Sequence, residues 1–364
     1  MRNKITGLIL PIVAILTVAI CCGTFGVDII AQSFSPCLSH NRSVAIQGQS
    51  VHHHVAEQTM SEQVSTDEVA PNDEYFDKQW ALVKIQASEE WTSASDSGVL
   101  IAVLDTGIDE SHEDLDGKVV ASINFSGSPT ADDLHGHGTH IGGIIAATAN
   151  NGIGIAGLDS GCSLLSVKVA DDTGLCNAAS VAQGIIWAVD NGATVINMSL
   201  TITEPSKVLE QAVEYAWNKG AILVAAAGNN GVSTSVYPAN YSQCISVTAT
   251  KEDDTLAKLA NHGNWIDLAA PGVAIYSTLP GNTYGFKSGT SMATAYVAGL
   301  AGLLFPLASD TNGNGLVNDE VRNAIESSCD ETGMLNVSMG RINVAIAMKT
   351  IEKQNHGEDG GQNE

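Results

Sequence analysis

The chain has 364 residues, of which 15% are charged, and 40 acidic against 16 basic side chains leave a formal charge of −24. That excess of carboxylates argues against nucleic-acid binding and against anionic membrane surfaces, because both require a basic face. The length allows a large core, and one big α/β domain with short appendages fits it better than several modules.

Arg2 and Lys4 precede the apolar stretch ITGLILPIVAILTVAICCG. Residues 1–26 therefore read as a signal peptide or an uncleaved N-terminal anchor, and export is expected. Cys21 and Cys22 do not mark a lipid anchor, since Ile20 and Cys21 stand where a small residue is required. Residues 27–70 are polar and weakly periodic, as a linker or short pro-segment would be, and the run His52 to His54 within them reads as solvated.

The pattern changes at about residue 71, and a domain over 71–350 is expected, with a polar tail over 351–364. GVLIAVLDTG is an apolar run ending in Asp105, and runs apolar on both faces suit a parallel strand covered by helices on both sides. DDLHGHGTHIGG then places His135, His137 and His140 within six positions. The spacing resembles the zinc-binding stretch of metallo-β-lactamase-like hydrolases, although Thr139 stands where that family has an acid. A catalytic base with two bystanders is the other possibility, with His137 opening a helix through THIGGIIAATA.

CSLLSVKV, ATVINMSL and AILVAAAGN repeat the buried-strand signature. Between them, Val181, Ile185 and Ala188, then Leu209, Val213 and Ala216, recur at helical spacing. Gly192 and Gly220 follow as left-handed caps, and Pro205 fits the first turn of the second helix. Alternating strands and helices predict a parallel β-sheet flanked by helices on both faces, with the active site beyond the carboxyl ends of the strands. Asp105, Ser199 and Asn229 fall there.

SGTSMATAYVAGLAGLLF starts a long apolar helix with Ser291 at its head, either as a cap or beside backbone donors able to hold an anion. SDTNGNGLVND has Asp310, Asn312, Asn314 and Gly315 in calcium-loop positions, but Val321 takes the twelfth place where a bidentate acid belongs, so a polar surface loop is expected. Cys162, Cys176, Cys244 and Cys329 lie in the domain and Cys37 before it; an oxidising compartment permits pairs, of which Cys162 with Cys176 is the nearest in sequence. No C-x-x-C motif occurs.

The blocks AVLDTGIDESHEDL, HGHGTHIGGIIAA and SGTSMATAYVAG, in this order and joined by VINMSL, VAAAGNNG and DLAAPG, resemble the subtilisin-like serine peptidases (subtilases), and among them the thermitase-like branch. The resemblance covers about residues 71–350. It implies a subtilisin-like fold and a serine endopeptidase with Ser291 as nucleophile, His137 as general base and Asp105 orienting the imidazole. Asn229 with the Ser291 N–H would form the oxyanion hole. Asp133 matches an acid that many relatives carry.

The same resemblance implies no catalytic metal, a structural calcium held by Asp73, Asp114 and Asn151 with carbonyls near Thr148, Ile153 and Ile155, and a substrate cleft at Ser199, Leu200, Thr201, Ala226 and Gly228. Polypeptide substrates and a secreted monomer are expected, with membrane contact only through an uncleaved N-terminal segment. Thr201 and Ile202 replace two glycines of relatives and would narrow the cleft, while Ala295 and Tyr296 replace Pro-His. The pro-segment is also shorter than usual. A catalytically impaired peptide-binding relative and a zinc-dependent hydrolase are the competing alternatives.

Overall fold

The computed structural model describes residues 18–19, 70–87, 98–333 and 337–356. Nearly all of the leader, the segment with Cys37 and His52 to His54, and residues 357–364 lie outside the described residues. Seven strands form one parallel sheet: β1 Leu100–Asp105, β2 Val119–Asn124, β3 Ser163–Lys168, β4 Val195–Met198, β5 Ile222–Ala226, β6 Cys244–Thr250 and β7 Leu268–Pro271. Their order is β2-β3-β1-β4-β5-β6-β7. Because β1 lies between β3 and β4, the chain leaves it in opposite directions, and the crevice at its carboxyl end is where such sheets place their sites.

The continuous apolar runs bury both faces. Ile101 and Val103 of β1 pack into a core shared with the short helix α1 (Trp80–Lys84) and helices α2 (His137–Ala146) and α5 (Thr290–Leu304). Ala102 and Leu104 face a second core with α3 (Ala178–Asp190) and α4 (Lys207–Asn218). Helices α6 (Asn318–Ser327) and α7 (Val344–His356) add to the first core through Val321, Ile325 and Ile351, so the last helix runs past position 350. A hairpin, β8 (Ile275–Leu279) with β9 (Thr283–Lys287), packs against α2.

Helix boundaries follow local chemistry. The side chain of Asn177 caps α3 with Ser180 completing a capping box, and Gly192 and Gly220 have φ of +89° and +90° as left-handed stops require. Pro205 is not in the first turn of α4: Ser206 keeps an extended backbone with its N–H on the Tyr241 hydroxyl at 3.0 Å, which delays the start to Lys207. Cys162 and Cys176 belong to cores on opposite faces of the sheet, so this pairing is not made, and Cys162, Cys244 and Cys329 are in no disulfide among the described residues. Among the described residues, the one helical stretch apolar and long enough to cross a membrane, Thr290–Leu307, is 78% buried as a core helix.

Asp159 is an acid in an apolar place. It is buried against Gly302 of α5, and both carboxyl oxygens lack a hydrogen-bond partner among the described residues. Burial pushes its pKa up to about 7, and the nearby Gly161 and Cys162 N–H groups and Lys118 offset only part of that. The folded state thus keeps a proton that the unfolded chain releases near pH ~4. Its stabilising contribution is complete below that pH and is lost as pH rises toward 7. Asp159→Asn, made in a Ser291→Ala background to prevent self-digestion, should therefore melt about 5 °C above its parent at pH 8, with a smaller gap at pH 5. Thermal unfolding followed by circular dichroism at both pH values measures this, and an equal gap at both would contradict it.

Candidate active site

β1 ends in Asp105, which is 0% exposed. A carboxylate closed off from water needs donors, and it has two. The Thr106 N–H reaches Oδ1 at 2.7 Å, and His137 Nδ1 lies 2.7 and 2.9 Å from Oδ1 and Oδ2. An acceptor at this position places the imidazole proton on Nδ1 and leaves Nε2 as the basic nitrogen. His137 Nε2 is buried and lacks a hydrogen-bond partner among the described residues.

Asp133 holds His137 in place. Its Oδ1 accepts from Thr106 Oγ1 at 2.8 Å, Gly136 N at 2.7 Å and His135 N at 3.1 Å; Oδ2 accepts from Thr139 N at 2.8 Å and Thr139 Oγ1 at 2.7 Å. Gly136 reverses the chain at φ +79° just before α2, and a Cβ on Gly138 would collide with the Gly107 carbonyl. At the end of β3 the fully buried Lys168 donates to Thr106 O at 2.6 Å, Asp132 O at 2.8 Å and Asp172 Oδ1 at 2.7 Å. One ammonium thereby joins the loops after β1 and before α2.

The three histidines have three different surroundings. His135 is half-buried with its ring 6.2 Å from that of His137, and burial lowers its pKa. His140 is buried with its pKa pushed down to about 3, and Nε2 of the neutral ring donates to Ile275 O at 3.2 Å and Gly285 O at 3.1 Å in the β8–β9 hairpin. Among the described residues no three His, Cys, Asp or Glu are placed to hold a metal, so the zinc alternative fails on geometry.

Ser291 is the second residue of α5, where helix N–H groups lack intrahelical partners. Its hydroxyl donates to Ser199 O at 3.3 Å, while Ser199 Oγ donates to Ser291 O at 2.9 Å and accepts from Asn197 Nδ2 at 3.0 Å. The Ser291 hydroxyl is thus turned to the strand end and not to His137 Nε2, an arrangement usual before substrate binds. Asn229 lies just past β5, and its Oδ1 accepts from Thr290 N at 2.8 Å, which fixes the other end of the amide as the donor end. Thr290 Oγ1 in turn accepts from Gly228 N at 3.1 Å.

The cleft residues divide. Leu200, Ala226 and Ile202 are buried, and Ile202 exchanges backbone bonds with Tyr237 at 2.6 and 2.8 Å. Ile202 therefore does not narrow the cleft, contrary to the sequence expectation, because its side chain sits in the core. Thr201 does face the loop after β5: its Cγ2 lies 3.4 Å from where a Cβ on Gly228 would stand. Asn261, absent from the sequence expectations, braces that loop with Nδ2 on Ala227 O at 2.7 Å and Oδ1 accepting from Asn230 N at 3.1 Å and Val232 N at 3.2 Å. Asn197 and Lys168, polar residues inside buried strands, carried a visible signal; Asn261 sits in a loop and carried none.

Asp73, Asp114 and Asn151 come together beneath the β8–β9 hairpin. Asp73 accepts from the N–H groups of Asn150 and Asn151 at 2.9 and 3.2 Å, and Asp114 from Asn151 Nδ2 at 2.9 Å and Ile155 N at 2.8 Å. Asn151 Oδ1 accepts from Ile153 N at 2.9 Å, and Thr148 N donates to the Asp114 carbonyl at 3.1 Å. Burial raises the Asp114 pKa, and the charge of Asp73 acts in the same direction. Neither carboxylate forms a salt bridge among the described residues. Gly154 leaves space beside Asp114 Oδ2 and the Tyr284 hydroxyl that a Cβ would fill. Two buried carboxylates, amide oxygen and a cradle without a Cβ fit a hard cation.

Residues 96–345 match the Subtilase family profile, peptidase S8. The chain is 45% identical over 283 residues to thermitase of Thermoactinomyces vulgaris, covering 77% of this chain and 99% of that one. It is 46% identical over 279 residues to a thermophilic serine proteinase of Bacillus sp. (strain AK1), covering 75% and 68%, respectively. With Subtilisin Savinase of Lederbergia lenta it shares 39% over 272 residues, 74% of this chain and 98% of the other. A seven-stranded parallel sheet with Asp105, His137 and Ser291 at one end, and a family profile spanning most of the folded domain, lead to one conclusion: the chain belongs to the subtilase family, in its thermitase-like branch.

Proposed function

We propose that this serine endopeptidase cleaves polypeptides through Ser291, His137 and Asp105, with Asn229 holding the oxyanion. The observation that supports this most directly is the buried Asp105–His137 contact at 2.7 Å, which orients a basic Nε2 toward the cleft end of the sheet. Ser291 Oγ attacks the scissile carbonyl as its proton passes to His137 Nε2, and Asp105 stabilises the imidazolium that results. The oxyanion accepts from the Asn229 amide and the Ser291 N–H at the head of α5. His137 then protonates the leaving amine, and water removes the acyl group by the same relay in reverse.

Asp73, Asp114 and Asn151, with carbonyls of Thr148, Ile153 and Ile155, are proposed to hold a structural calcium that neutralises two buried carboxylates and ties the N-terminal segment to the loop after α2. The hydrophobic leader is proposed to direct export, and the segment over 27–70 to precede the mature domain. Ser199, Leu200, Thr201, Ala226 and Gly228 are proposed to line the strand along which substrate lies.

A fluorophosphonate probe should label Ser291, located by mass spectrometry, and Ser291→Ala should show no label and about 10⁶-fold lower turnover, the scale of the corresponding loss in subtilisin. Absence of label on folded protein would overturn the assignment. Because Thr201 projects toward Gly228, Thr201→Gly should raise kcat/KM for peptides with an aromatic residue before the cleaved bond about tenfold relative to alanine there. An unchanged ratio in chromogenic peptide assays would contradict this.

A further inference from the structure

A buried polar side chain that the chemistry of Ser291, His137 and Asp105 does not use lies directly behind the nucleophile. β4 is apolar except at Asn197, which is 0% exposed. Val195 shares its face of the strand, and Val103 of β1 and Val224 of β5 are its register partners on either side, so the amide sits in the core shared with α5. Its orientation is set by Ser199. That hydroxyl has one proton, which goes to the Ser291 carbonyl at 2.9 Å, so the Asn197 atom 3.0 Å from Ser199 Oγ must be the donor, Nδ2. Oδ1 is thereby left in the core with no hydrogen-bond partner among the described residues. An apolar side chain of similar volume would avoid that cost, so folding gives no reason for an amide at this position.

The other end of the amide supplies the reason. Ser199 grips the nucleophilic residue at two points: its hydroxyl donates to the Ser291 carbonyl, and its own carbonyl accepts from Ser291 Oγ at 3.3 Å. Ser291 stands at the head of α5, so a shift there moves both the attacking oxygen and the N–H proposed for the oxyanion. Without a donor on its lone pair, the Ser199 hydroxyl is free to turn among its rotamers, and its bond to Ser291 is kept only part of the time. A displacement of about 1 Å can cost about a hundredfold in rate. Register supports the same role: Val103, two residues before Asp105, pairs with Asn197, two residues before Ser199, so β1 and β4 bring both anchors of the site to one level.

We propose that Asn197 is a positioning residue for catalysis that acts through Ser199: it fixes the Ser199 hydroxyl, and Ser199 in turn holds Ser291 in alignment with His137 and the oxyanion donors. The inference rests on Ser291 being the nucleophile, as proposed above. The stranded Oδ1 is the cost in stability of keeping Nδ2 where Ser199 needs it.

The test is a double-mutant cycle in the full chain with Asn197→Leu and Ser199→Ala, assayed on a chromogenic peptide, with kcat expressed per active site counted by the fluorophosphonate label. Each single variant should lower kcat about tenfold and leave KM within about twofold, because alignment is lost and binding is not. The double variant should be no slower than the slower single one, since Asn197 has nothing to act through once the hydroxyl is gone. In a Ser291→Ala background, Asn197→Leu should also melt about 2 °C above its parent, as the stranded oxygen is removed. Losses that multiply to about a hundredfold in the double variant, or a kcat per active site left intact by Asn197→Leu, would overturn the proposal. If Asn197→Leu does not fold by near-ultraviolet circular dichroism, Asn197→Ala takes its place in the cycle and the same comparison decides. Absence of label on the folded parent would instead remove Ser291 as nucleophile, and this inference with it.

Discussion

A carboxylate sealed from water at the end of β1 is the constraint around which this domain is arranged. Leaving such a group without donors costs several kcal/mol, and Asp105 finds them only because the backbone turns at Thr106 and because His137 is delivered to it from α2. The partner that satisfies the acid is therefore the residue whose chemistry the site needs. Burial makes the bond strong and directional, and the same burial leaves Nε2 of the ring without a partner of its own among the described residues.

Delivery of His137 depends on groups that do no chemistry. Asp133 gathers five donors from Thr106, His135, Gly136 and Thr139, and Lys168 joins the carbonyls of Thr106 and Asp132. These contacts exist because a parallel sheet sends every strand's carboxyl end to the same edge. Ser291 and Asn229 reach that edge from α5 and β5 by the same logic, and Thr290 and Asn261 join the two loops across it. Positioning is thus shared between helix starts and strand ends, which are rigid, with short loops between them.

The parts of this arrangement that were legible in the sequence are those written locally. Apolar runs marked the strands, Gly192 and Gly220 marked the helix stops, and the blocks around Asp105, His137 and Ser291 marked the chemistry. What escaped were choices made by tertiary partners. Pro205 lies outside α4 because Tyr241, far along the chain, takes the N–H of Ser206. Ile202 turns into the core because Tyr237 pairs with its backbone. Cys162 and Cys176, close in sequence, are separated by a sheet.

The central claim is that Asp105 holds the imidazole of His137 with its proton on Nδ1 and Nε2 ready to accept. Nitrogen-15 and proton NMR of the histidine-labelled full chain, at a pH where the ring is neutral, tests it most directly. The account predicts a protected, strongly downfield Nδ1–H signal assigned to His137 that disappears in Asp105→Ala. A His137 ring carrying its proton on Nε2 in the parent protein, or an Nδ1–H signal unaffected by loss of Asp105, would contradict it.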